Sequence, residues 1–204
     1  MLLKLEKLIA KYGMKITGVI QAGAHWGEEV DLLLSVTDGE LHLFEPCEDS
    51  YEKLLSKSWD FDRIYTHNFA LGASCTEAYL NVETKNNGQS NSILKPKQHL
   101  LYYPDIEFKD VERALMIMLD NVALTNCNFL MLDVQGYEHE VLKGATETLK
   151  HIDYIYTEVN REELYENCAM VEDLDNYLTD FRRVETKWKR KGFGDALYIR
   201  KTLL

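Results

Sequence analysis

Polar residues close most of the apolar runs of this chain, and their types could do chemistry. Gln21-Ala22-Gly23-Ala24-His25-Trp26-Gly27 follows a β-branched run, Glu45-Pro46 closes Leu41 to Phe44, and Asn68-Phe69-Ala70 closes Arg63 to His67. Asp133-Val134-Gln135-Gly136 ends the run from Phe129, and Glu158-Val159-Asn160 ends the run from Tyr154. A strand that passes through a glycine turn into a helix gathers unpaired backbone N–H groups and the positive end of a helix dipole at one point. Such a point suits an anionic or polar cofactor group. Glu45 follows Gly23 at about 20 residues, the spacing at which an acid grips a ribose diol. The turn reads Gly-Ala-His-Trp-Gly rather than Gly-x-Gly-x-x-Gly, which suits a pyrophosphate poorly. That disfavours NAD and FAD and leaves a ribose-bearing ligand without a pyrophosphate, a description that S-adenosylmethionine meets.

The elements that must position these residues alternate. Leucines and Ile9 at helical spacing predict an amphipathic helix over residues 2–12, ended by Gly13. Strands are expected at 16–21, 41–44, 63–67, 76–84, 129–134 and 154–160, and helices at about 27–36, 48–57, 137–149 and 171–181. Residues 112–120 are apolar and read equally as strand or short helix. Residues 183–187 and 196–200 read as an antiparallel hairpin around Gly192-Phe193-Gly194. Strand–helix alternation implies an α/β fold, Rossmann-like and doubly wound, with a mostly parallel sheet and helices on both faces. In such sheets ligands bind at the carboxyl ends of the strands, which is where the polar residues fall. Residues 85–110 hold the longest polar loop together with His99, Tyr102 and Tyr103, and are expected to form part of an acceptor pocket or lid.

The 204 residues carry no visible linker or repeat, so a single domain over 1–204 is expected. The net charge of −11 argues against broad nucleic-acid binding, which calls for a basic surface. Lys187, Lys189, Arg190 and Lys191 form a dense basic run and read as a solvated hairpin end. Four scattered cysteines without a Cys-x-x-Cys pair read as reduced thiols. With no secretory leader pattern and no apolar run of about 20 residues, a cytoplasmic protein without a membrane span is expected.

Val19 to Gly27, Phe44-Glu45-Pro46, Asn68 to Gly72, Leu132 to Glu138 with Val141 to Gly144, Glu158 to Asn160 and Gly194 to Tyr198 together resemble the FkbM family of S-adenosylmethionine-dependent methyltransferases. The resemblance implies the class I methyltransferase fold, with a seven-stranded sheet, and transfer of a methyl group to a hydroxyl oxygen of a sugar, glycan or small metabolite. It implies that Gly23, Ala24, His25 and Gly27 wrap the methionine part of the cofactor and that Glu45, beside Pro46, binds the ribose hydroxyls. Asn68, Phe69 and Ala70 then border the adenine, and Asp133 stands beside the methionine amino group. Two positions depart from the family pattern: Gln21 stands where Asp is usual, and Gln135 where Glu is frequent. Both are expected to contact cofactor without charge.

An alcohol needs a base to take its proton, and the candidates are Asp133, Glu158, His139 and His25. Asp133, Glu158 and Asn160 also resemble the metal ligands of catechol-type methyltransferases, hard oxygens suited to Mg²⁺. Two other readings compete. An NAD-dependent oxidoreductase is opposed by the glycine turn and by the lack of a Tyr-x-x-x-Lys pair in the later half of the chain. A non-catalytic binding module is kept open by Gln21 and Gln135.

Overall fold

The computed structural model describes residues 2–189 and 192–204, so Arg190 and Lys191 of the basic run lie outside the described residues. Its central strands are buried on both faces, as in a parallel sheet covered by helices. Every residue of β1 (Val19–Ala22), β2 (Leu41–Phe44), β7 (Phe129–Leu132) and β8 (Tyr154–Asn160) is buried. With β3 (Ile64–His67), β9 (Phe181–Trp188) and β10 (Phe193–Arg200) they form one seven-stranded sheet in the order β3-β2-β1-β7-β8-β10-β9. The first five strands in that order are parallel, and β10 runs antiparallel to both β8 and β9.

Alternation along the strands sorts side chains into two cores. Val19, Leu41, Phe129, Met131 and Tyr156 pack with α1 (Leu5–Tyr12), α2 (Val30–Val36) and α3 (Glu48–Ser58). Ile20, Ala22, Leu130, Leu132 and Ile155 pack on the opposite face with α5 (Glu138–Lys143) and α6 (Val171–Tyr177). Gly13 ends α1 in the left-handed conformation, its N–H donating to the Ile9 carbonyl. No helix among the described residues is long and apolar enough to cross a membrane.

Several elements differ from the sequence-based expectation. Of residues 112–120, those to Ile117 are strand, the end of the longer β6 (Phe108–Ile117), and a 3-10 turn follows at Leu119–Asn121. β6 pairs with β4 (Ala70–Leu71) and antiparallel with β5 (Thr76–Glu83), making a second, three-stranded sheet. A short helix, α4 (His99–Tyr102), lies in the 85–110 segment. The helix expected from 27 starts only at Val30, because His25 and Gly27 both take positive φ. The helix expected to run to 149 stops at Lys143. Asp120, far off in sequence, accepts from the N–H groups of Glu147 and Thr148 and from the hydroxyls of Thr146 and Thr148, fixing a separate turn there. The last helix ends at Tyr177, so that β9 can begin at Phe181.

Order reverses between β1 and β7: the chain builds outward to β3, then returns to the other side of β1. Pairing holds to Ala22 opposite Leu132, and the Asp133 N–H donates to the Ala22 carbonyl at 3.0 Å. The backbone of Gly23 then passes so close to Asp133 that a Cβ at Gly23 would sit 1.9 Å from the Asp133 carbonyl oxygen. Gly23 also takes φ +78°, and Gly13, with φ +62°, has nothing within 4 Å of a built Cβ. Alanine at either position bears about 1–2 kcal/mol of left-handed strain, and Gly23→Ala adds about 1–3 kcal/mol of overpacking. Gly13→Ala is expected to lower the melting temperature by about 2–8 °C, and Gly23→Ala by more, as read by circular dichroism melts.

Candidate functional site

A cavity of about 430 Å³ opens at the reversal point. Its floor is Gly23, Asp133 and the ends of β1, β2 and β7. Leu80 of the small sheet lines it, as do Asn86 and Gly88 to Ile93 of the polar loop and, farther along, Glu158, Lys189 and Phe193.

Of the residues expected to meet cofactor, Gly23, His25, Glu45, Pro46, Phe69, Ala70, Asp133 and Gln135 line this one cavity. Glu45 stands just past β2 and is buried. Its Oε2 accepts from the His25 N–H and its Oε1 from the Cys47 N–H, each at 2.9 Å. A carboxylate has about four acceptor sites, so each oxygen keeps capacity for another donor. Burial pushes the Glu45 carboxyl up to about 7, against the two N–H bonds and the His25 charge that favour ionisation.

Ala24 and Gly27 are buried within the turn and do not line the cavity; Gly27 offers its carbonyl to Lys57 Nζ. Asn68 is also off the cavity, its amide donating to the carbonyls of Glu45 and Pro46, so it shapes the turn that carries Glu45. Gln21 is 1% exposed and lies beneath the lining. His25 takes φ +47° and stacks on Trp26, with ring centroids 4.9 Å apart. Its Nδ1 meets Glu28 Oε1 at 2.6 Å and its Nε2 meets the Asn87 carbonyl at 2.8 Å. The glycine turn is thereby tied to the polar loop.

Asp133 opens into the cavity, where solvent reaches it, yet protein encloses the site. That desolvation raises its carboxyl, as do the charges of Asp195 and Glu29, while the Gln135 amide opposes the rise. Gln135 Nε2 donates to Asp133 Oδ1 at 2.6 Å, and its Oε1 accepts from the Tyr165 hydroxyl at 2.9 Å. Gln135 itself has φ +53°. Glu138 is buried in the first turn of α5, where its Oε1 accepts from the N–H groups of Val134 and Gly136. It thus shapes the loop that presents Asp133. Glu158, at the end of β8, is raised well above the ordinary carboxyl range by burial and by the charges of Asp133, Glu138 and Asp195, with Lys189 opposing.

His139 does not join this group. Glu138 turns inward, and the next helical position is rotated by about 100°. His139 instead meets the Tyr177 ring edge-on, with centroids 5.2 Å apart. Asn160 is buried off the cavity with its Oδ1 unpartnered, and among the described residues no three His, Cys, Asp or Glu side chains converge to hold a metal.

Within 85–110 the loop is pinned. Glu83 accepts from the N–H groups of Lys85, Asn86 and Gly88; Ser92 Oγ donates to the Gln135 carbonyl at 2.7 Å; and the Tyr165 hydroxyl lies 3.2 Å from the Ser90 carbonyl. His99 and Tyr103 line the cavity, whereas Tyr102 bonds to Glu162. Glu28, Glu29, Tyr137 and Phe193 also line it without having been expected as site residues, and Lys189, read from sequence as part of a solvated hairpin end, lines it too. The signal available for Glu138 and Glu29 alike was an acid in the first turn of an expected helix.

Five parallel strands reversing beside β1, acids at the ends of β2 and β7, and the antiparallel β10–β9 pair define the class I methyltransferase fold. The chain belongs to the methyltransferase FkbM family, whose domain model matches residues 21–193. It is 35% identical over 119 residues to the 2-O-methyltransferase NoeI of Sinorhizobium fredii (strain NBRC 101917 / NGR234), a match covering 56% of this chain and 48% of that one. Among solved structures it resembles methyltransferase FkbM from Methylobacillus flagellatus KT, with a TM-score of 0.60, 16% identity, and coverage of 90% of this chain and 43% of that chain. It also resembles magnesium protoporphyrin IX methyltransferase from Synechocystis PCC 6803, solved with bound SAM, with a TM-score of 0.54, 10% identity, and coverage of 97% and 76%. The chain thus spans about half the length of the curated relative it matches.

The raised carboxyls give a stability signature. Folded Glu45 holds its proton up to about 7, against an ordinary value of 4.5. The folded chain therefore binds protons more tightly than the unfolded chain across that window, and the contribution is lost as pH rises through it. Urea melts are expected to show lower stability at pH 7.5 than at pH 5.5, and Glu45→Gln is expected to shrink that difference.

Proposed function

We propose that this chain transfers a methyl group from S-adenosylmethionine to a hydroxyl oxygen of a sugar, glycan or small metabolite. The observation that carries the reading is one cavity at the sheet reversal that joins Glu45, braced by two backbone N–H groups, to Asp133 and Glu158. Glu45 has acceptor capacity left for both ribose hydroxyls, Phe69 and Ala70 border the base, and Gly23 allows close backbone approach. Asp133, held by Gln135, faces the amino group. When bound, the cofactor supplies a methyl group already activated on a sulfonium. The 2-O-methyltransferase name of the relative supports oxygen as the acceptor atom.

An alcohol is a weak nucleophile until its proton leaves, and a carboxylate whose hold on a proton is strengthened by burial is matched to taking it. Glu158 takes the proton as the oxygen–carbon bond forms and the carbon–sulfur bond breaks. Asn86 to Ile93, His99 and Tyr103 cover the acceptor side and exclude water. The net charge of −11 favours a small acceptor over nucleic acid. The free cysteines, with Cys47, Cys127 and Cys168 buried, suit the reducing cytoplasm, where we place the reaction.

S-adenosylhomocysteine, and not NADH, is expected to raise the melting temperature by mass action, more at pH 8 than at pH 6 because ionised Glu45 accepts the ribose hydroxyls. A shift with NADH alone rejects the reading. In a hydroxyl-bearing acceptor panel, Glu158→Gln is expected to lower kcat by about 10²–10⁴-fold while S-adenosylhomocysteine still binds. Excess EDTA is expected to leave turnover unchanged, since the Gln135 amide already engages Asp133 Oδ1.

A further inference from the structure

Gln21 and Gln135 stand where the family pattern has acids, yet each amide donates to a carboxylate that lines the cavity. Gln135 Nε2 reaches Asp133 Oδ1, and Gln21 Nε2 reaches Glu29 Oε2 at 3.3 Å. The amide orientation of Gln21 follows from this contact, because its oxygen turned toward Glu29 would face another acceptor. Gln21 holds that orientation although its own Oε1 is left buried without a hydrogen-bond partner. An acid at position 21 would press a second carboxylate against Glu29 at a site 1% exposed, where two like charges disfavour each other's ionisation. It is Glu29, not residue 21, that lines the cavity together with Asp133. Glu29 and Asp133 thus face one cavity, and the Glu29 charge raises the Asp133 carboxyl.

We propose that Glu29, oriented by Gln21, joins Asp133 in receiving the amino group of the methionine part of S-adenosylmethionine. The charge absent at position 21 is thereby supplied eight residues later, from the start of α2. This inference rests on the cofactor reading above. It makes Glu29 a binding residue and Gln21 its positioning residue.

The test compares two ligands by isothermal titration: S-adenosylhomocysteine, and its deaminated analogue, which keeps the nucleoside, the sulfur and the carboxylate. Glu29→Gln is expected to weaken S-adenosylhomocysteine by about tenfold or more, the scale of a charge-assisted hydrogen bond, and to leave the deaminated analogue unchanged or tighter. Retained analogue binding also shows that the variant is folded. Glu28→Gln, which removes the partner of His25, is expected to treat the two ligands alike. Equal losses for both ligands in Glu29→Gln, or no loss for either, overturn the assignment. A Glu28→Gln variant that discriminates as strongly as Glu29→Gln overturns it as well. A wild-type chain that binds neither ligand overturns the cofactor reading itself; one that binds both equally tightly overturns only the role of Glu29.

Discussion

The site depends on one close backbone approach, Gly23 against Asp133. β1 and β7 remain paired to their last residues, and the two chains must then part without a side chain between them. That crossing fixes how far Glu45, carried by the neighbouring β2, stands from Asp133. It also leaves the opening into which the loops project. Gly23 is held from the other side as well, its N–H and that of Ala24 both donating to the Phe44 carbonyl at 3.0 Å. Three strand ends are thus locked to one turn before any side chain contributes.

Around that crossing the protein concentrates acids where water is scarce. Glu45, Asp133, Glu138 and Glu158 are all raised by burial. Such a group works against folding at neutral pH, and the structure compensates locally. Backbone N–H groups brace Glu45 and Glu138, and an amide braces Asp133. Glu158 is the exception: among the described residues none donates a hydrogen bond to its carboxylate at the end of β8, while neighbouring acids push it further. A group left that way is suited to change protonation state during a reaction, which is why the proposed mechanism assigns it the proton.

The central parallel strands were legible because burial on both faces leaves short, mainly apolar runs, FLML of β7 the clearest, and their polar ends fell on the cavity side by the geometry of the fold. β6 was not legible in full. Its sequence, FKDVERALMI, exposes one face of the small sheet over much of its length, so polar and apolar residues mix without a dominant run. The early end of α5 depends on Asp120, whose partners lie 26 to 28 residues away, a distance no local pattern reports. Gln21 and Gln135 were visible as departures, but their meaning lay in which acids they face. Ala24, Gly27 and Asn68 are near the cavity in sequence yet serve the turns rather than line it. His139 shows the same limit: one step along a helix exchanges the cavity for the Tyr177 ring.

The fastening of residues 85–92 bears on how such a site can change. His25 binds the carbonyl of Asn87, Tyr165 that of Ser90, and Glu83 takes main-chain N–H groups of Lys85, Asn86 and Gly88. These ties grip the peptide backbone, which every residue type except proline supplies in full. Gln89 and Ile93 face the same cavity without making those ties. Closure and selectivity are therefore written on different atoms of one segment. Gln89 and Ile93 can be exchanged, and on the proposed reading the acceptor preference with them, while the backbone ties and Ser92 Oγ on the Gln135 carbonyl keep the cavity wall in shape.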